Sequence, residues 1–175
     1  MRITILRVAL VLLAATSVAA QSLNWHEYKS PGGNFSVLMP SDPSDTANHD
    51  PEGDSHTIQA NDQSVGYNVF YVKFSRDQAV DDANFKTHRD AFLGDFPDCK
   101  LFDEQPATPA IGGFIGGSYR LNCELPGKKK TRNIGNLYLG KHYFYGVFAL
   151  FVPESSESPD VKKFVDSFAL IDPTR

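Results

Sequence analysis

The sequence predicts an α+β fold: a single domain with a mostly antiparallel, twisted β-sheet built from hairpins, and amphipathic helices packed on it. Three observations predict it. Residues 132–152 form the most apolar, most β-prone run outside the N-terminus, with a turn signal at Gly140-Lys141-His142. The other strand-like runs come in hairpins and do not alternate with helices. Two stretches, 81–96 and 158–168, change to helical period.

The run 132–152 sets the frame. Its second arm places Tyr143, Tyr145, Val147, Ala149 and Phe151 on one side, and Phe144, Phe148, Leu150 and Val152 on the other. A strand is apolar on both sides only where both sheet faces are covered, so this arm is expected mid-sheet. Residues 25–30 and 35–39 alternate around the turn Pro31-Gly32-Gly33-Asn34 and read as an opening hairpin ended by Pro40. Residues 41–61, rich in Pro, Asp, Ser, Asn and Gly, read as a surface loop with a short strand at 57–60. Residues 65–74 form a strand covered on both sides, with Tyr67, Val69 and Tyr71 opposing Phe70, Val72 and Phe74.

In 81–96, Phe85, His88, Phe92 and Phe96 recur at helical spacing. Asp81 or Asp77 caps the start, and Gly94 and Pro97 end the helix. Residues 99–105 and 114–125 form a second hairpin, and Pro126-Gly127 with the lysines turns into the central one. After Pro153 comes a polar loop. Ser158-Pro159 then opens a helix whose stripe is Val161, Phe164, Val165 and Phe168. Both helices are expected to pack on the sheet.

Residues 1–20 read as a cleaved signal peptide: Arg2 and Arg7, a short apolar run at 8–15, and small residues at Val18-Ala19-Ala20. The run is too short to span a bilayer, and no other stretch can. Residues 21–175 are the expected domain, exported to the periplasm or beyond. Without Arg2 and Arg7, 15 basic residues face 21 acidic ones, a net charge of −6. Such a domain is a poor partner for nucleic acid or anionic lipid. Export permits disulfides. Cys99 and Cys123 are placed symmetrically about Ile111, inside the turn signal 109–113. Antiparallel pairing of the flanks brings the thiols face to face, so a Cys99–Cys123 bridge is expected.

No constellation carries chemistry, and no catalytic residue or cofactor is assigned. Residues 135–142, GNLYLGKH, approach a phosphate-binding loop but put His where a hydroxyl is needed, in strand context. Residues 111–117, IGGFIGG, lack dinucleotide-binding spacing. Residues 49–56, HDPEGDSH, gather His49, Asp50, Asp54 and His56, the candidates if any metal binds; a solvated acidic loop is the favoured reading. His88 reads as a core or boundary histidine. Lys128, Lys129, Lys130 and Arg132 form a basic knot at a turn, solvated or a docking patch for an acidic partner. Asn34-Phe35-Ser36 matches a glycosylation acceptor.

The pattern WxEYxSPxGxFSVxMP over 25–40 and FVDSFAL over 164–170 resemble the two ends of a group of exported bacterial proteins of unknown function. The order of paired strands, helix, four-strand meander and closing helix is similar to the PsbP-like fold. That resemblance implies an antiparallel sheet sandwiched by helices and a binding or assembly role without catalysis. It carries over no ligand-binding residue. The expected function is therefore an exported non-catalytic binding or assembly module with a protein partner. The alternative is a small-molecule or metal carrier with a pocket between sheet and helix, closed by the loop at 41–61. A hydrolase, needing a histidine beside a nucleophile and an acid in space, comes third.

Overall fold

The computed structural model describes residues 24–51, 53–62, 64–108, 110–125, 129–152 and 158–172, with the backbone alone at 50, 125 and 129. The leader at 1–20, the turn at Pro126-Gly127, Lys128 and the loop after Pro153 lie outside the described residues.

The large sheet has seven strands: β3 (Ser44–Asp50), β4 (Gly53–Asn61), β5 (Val65–Phe74), β6 (Cys99–Pro106), β7 (Ile115–Leu125), β8 (Lys129–Leu139) and β9 (Tyr143–Phe151). Their spatial order is β3-β4-β5-β9-β8-β7-β6, and every neighbouring pair is antiparallel. A meander of three strands therefore leads from one edge to β5. Helix α1 (Asp82–Gly94) carries the chain past three strand positions to the opposite edge, and a meander of four returns to close on β5. A small sheet, β1 (His26–Ser30), β2 (Phe35–Met39) and β10 (Ala169–Leu170), forms with helix α2 (Pro159–Asp166) a second layer.

β9 lies mid-sheet, as its two apolar faces require. On the front face Tyr145, Val147 and Phe151 join Phe35, Met39, Phe164 and Phe168 of the small sheet and the α2 segment. On the back face Phe144 and Phe148 join Phe85 of α1, with Phe92 packed alongside. Asp81 caps α1, its carboxylate accepting from the Asn84 N–H at 2.8 Å. Ser158 caps α2 ahead of Pro159, and Val161, Phe164 and Val165 are buried.

The front layer is also bolted by polar links. Tyr145 donates its hydroxyl to the Gly33 carbonyl at 2.7 Å, and Tyr143 donates to that of Gly32 at 3.2 Å. Asn34 sits in the left-handed region at φ 57°. Its amide donates to the Asp172 carbonyl at 2.7 Å and accepts from the Asp172 N–H at 2.9 Å. Asn34 is 2% exposed and fully committed, so the glycosylation match is closed in the folded chain.

Two expectations need correction. Residues 41–61 are not a loop but the β3–β4 hairpin, ending at Asn61. The composition misleads because an edge hairpin needs little apolar surface: on β4 only Ile58 and Ala60 enter the core, and β3 sends in none. The closing helix is followed by a strand not foreseen, β10, which pairs with β2. A two-residue strand has no periodicity to read.

Cys99 and Cys123 are opposite each other in the β6–β7 register and are joined by a disulfide. Replacing both by Ser removes a cross-link over a sequence separation of 24. The double variant should lose about 3 kcal/mol in urea unfolding. Alkali supplies a second test. Burial pushes the Tyr138 phenol from 10.0 up to about 12, and burial raises Tyr67, Tyr119 and Tyr145 too. The native state holds these protons more tightly than the unfolded chain does. Their contribution is complete below pH 10 and is lost as pH rises from about 10 towards 12. The urea midpoint should fall steeply across that window.

Candidate functional site

The sheet's back face is only partly roofed. α1 packs over β7 and β8 and reaches β5 through His88 on Phe74 and Phe92 on Phe70, and a cleft remains beside Phe92 towards Thr57, Gln59 and Asn68. The sequence records the boundary. Under the helix the inward residues are Leu121, Leu137, Phe148 and, on β5, Phe70, Val72 and Phe74; beyond them they become Thr57, Gln59 and Asn68. The gap is a cleft of about 390 Å³. That volume falls within the range of small-molecule sites, which are mostly apolar with a few placed polar groups.

Its wall is aromatic. Phe92 of α1 lies 5.4 Å from Phe148, 5.7 Å from Phe70 and 5.2 Å from Phe96, between ring centroids. Gly146 on β9 lets this wall close: a Cβ there would stand 3.3 Å from the Phe92 ring and 3.2 Å from Leu137. The rim carries the amides of Gln59, Asn68 and Asn133, and the mouth carries Asp95, the C-cap of α1. Asn133 also donates to Cys123 Sγ at 3.3 Å, so the disulfide backs one end of the cleft.

A second depression, about 650 Å³, lies on the front face between α2 and strands β6–β8. Asn136 on its floor is buried, donating to the Thr108 carbonyl at 2.7 Å and to Tyr138 Oη at 2.9 Å, and accepting from the Ser118 hydroxyl. Its charged lining residues are paired, Arg120 with Asp103 and Lys162 with Asp166. Satisfied groups of this kind hold structure and leave little for a ligand.

The residues singled out in the sequence fall elsewhere. His49, Asp54 and His56 sit on β3 and β4, fixed by strands and not on a loop. They form two separate pairs: His49 Nδ1 lies 2.7 Å from Asp54, and His56 Nδ1 lies 3.0 Å from Asp45. The hydrogen bond from His49 holds the Asp54 carboxyl below its usual value. His56 stacks on Tyr71 at 4.6 Å. The described residues contain no group of three or more metal-ligating side chains. The Asp50 side chain lies outside them. His88 lies against Phe74 and Phe144, at 5.0 and 5.5 Å. Of the basic knot, the Lys128 residue and the Lys129 side chain lie outside the described residues. Lys130 is exposed on β8, and Arg132 lies over the Phe102 ring at 5.7 Å.

The cleft escaped sequence reading because strands β4, β5, β7, β8 and β9 and one helix build it. The one signal was Asn68, a polar residue opposite the buried run Tyr67, Val69, Tyr71.

No family model and no curated protein matches the chain. Among solved structures, the crystal structure of PA94, a protein of unknown function from Pseudomonas aeruginosa, is similar at a TM-score of 0.39 and 13% identity, over 74% of this chain and 84% of that one. No helix among the described residues is long and apolar enough to cross a membrane.

The Gly146 contact yields a test. Gly146→Val forces Phe92 away from β9, since the larger side chain meets the ring that a Cβ already approaches at 3.3 Å. The variant should lose about 1–3 kcal/mol by overpacking in urea unfolding. Pairing it with Phe92→Ala should recover part of that loss, because the two share one contact.

Proposed function

We propose that this protein is an exported, non-catalytic binding protein that holds a small apolar ligand in the cleft between α1 and the sheet. The observation that carries the reading is the half-roofed back face, where an aromatic wall meets an amide rim around about 390 Å³. The leader-like pattern of residues 1–20 and the Cys99–Cys123 disulfide support export. Among the carrier readings, a small organic ligand fits better than a metal, because His49 and His56 are each engaged with their own aspartate.

Docking of a protein partner is the second reading. Leu101 and Phe102, adjacent on the edge strand β6, are 42% and 49% exposed. Large apolar side chains on a sheet edge favour contact with another chain.

The neutral fluorophore N-phenyl-1-naphthylamine tests the cleft. It should bind saturably with a dissociation constant on the order of 100 μM, as its size allows. Asn68→Trp plugs the rim from a half-buried position and should weaken binding at least about tenfold while leaving the unfolding midpoint in place. Binding that ignores this substitution would place the probe elsewhere and refute the cleft.

A further inference from the structure

We propose that the ligand of this cleft is a small organic cation with an apolar body, an aryl or alkyl ammonium. The proposal rests on the cleft being a ligand site, and adds the charge and chemical class of what enters it.

Three features of different physical origin point to a cation. The first is the wall. Phe92, Phe96 and Phe148 are grouped within 5.2–5.4 Å between neighbouring ring centroids. The faces of such rings carry the negative end of their quadrupole and attract a cation placed over them. The second is the charge of the lining. Among the described residues that line the cleft, Asp95 is the only ionisable one, and it makes no ion pair with another described residue. It lies between Phe92 and Phe96 in the chain and lines the same cleft as both rings. The third is the backbone. α1 ends at this mouth with the negative end of its dipole, the Phe92 and Leu93 carbonyls accepting from the Asp95 and Phe96 N–H, and no basic residue in its last turn offsets that charge.

The rest of the lining agrees. Gln59, Asn68 and Asn133 offer neutral dipoles that serve the polar edge of a ligand without selecting an anion. The front-face depression is built the opposite way, each of its acids matched by a base. An anion entering the α1 cleft would lose hydration beside Asp95 and gain no cation in return. An ammonium group would exchange water for a carboxylate and ring faces at the negative end of a helix.

Benzyltrimethylammonium and the anion phenylacetate, titrated into the protein by calorimetry and by displacement of N-phenyl-1-naphthylamine, test the assignment. The cation should bind and displace the probe, and phenylacetate should not. Asp95→Asn should weaken the cation roughly threefold, the scale of one exposed charge contact, and weaken the neutral probe less. Asp95→Lys should weaken the cation roughly tenfold and raise the thermal midpoint, because a cation at a helix C-terminus stabilises the helix. Affinity and stability moving in opposite directions separates loss of the site from loss of the fold. Probe binding that phenylacetate displaces as well as the cation does would overturn the charge assignment and leave the cleft standing. Cation affinity indifferent to Asp95→Lys would overturn it too. Failure of both probe and cation to bind would overturn the cleft itself.

Discussion

Strand β9 is apolar on both faces, and that constraint organises the molecule. Tyr145, Val147 and Phe151 must be dry on one side, Phe144 and Phe148 on the other. Burying each such side chain contributes on the order of 1.5–3 kcal/mol, so no arrangement that leaves one face wet competes. Two flanking strands satisfy the backbone of β9, and β5 and β8 supply them. The side chains then need a layer in front and a layer behind. The small sheet with α2 is the first, and α1 is the second.

The two layers are built differently, and the difference makes the site. The front layer is broad and bolted: two tyrosine hydroxyls reach the carbonyls of Gly32 and Gly33, and Asn34 ties the chain end at Asp172. Phe35 sits among Tyr71, Tyr145 and Phe168 at centroid distances of 5.8, 6.1 and 5.4 Å. The back layer is one helix of 13 residues, about 20 Å of cover, over a sheet of seven strands. Such a helix cannot roof the whole face, and the uncovered boundary is the cleft. Arg89 of α1 holds the helix towards the β6 edge, reaching Glu104 at 2.8 Å. Glu104 in turn accepts from the Tyr119 hydroxyl at 3.1 Å.

Charge plays a minor part in holding this fold. Most ion pairs are exposed, such as Lys86 with Asp90 and Lys141 with Asp77, and pairs of that kind contribute little. Asp95 differs in having no basic partner among the described residues, in lining the cleft beside Phe92 and Phe96, and in capping the C-terminal end of α1.

How much was legible follows from which interactions are local. Periodicity along the chain was enough for β5 and β9 with their two-sided burial, for the helix of Phe85, His88 and Phe92, for the Ser158-Pro159 cap and for the Cys99–Cys123 pairing. For the strands and helices the residues that reveal the element are neighbours in sequence, and for the cysteines a turn signal midway between them revealed the pairing. The β3–β4 hairpin was not legible, because an edge strand facing water on one side is polar and looks like a loop. β10 was not legible, because its two residues are defined by β2. The cleft was least legible of all: Gln59, Phe70, Phe92, Leu121, Asn133 and Phe148 are scattered over the chain and meet only when α1 crosses the sheet. By itself the sequence determined the central and hairpin strands, both helices, the bridge and the need for a cover on both faces. Only the tertiary structure decided where the cover stops, because that depends on the length of one helix against the width of the sheet it crosses.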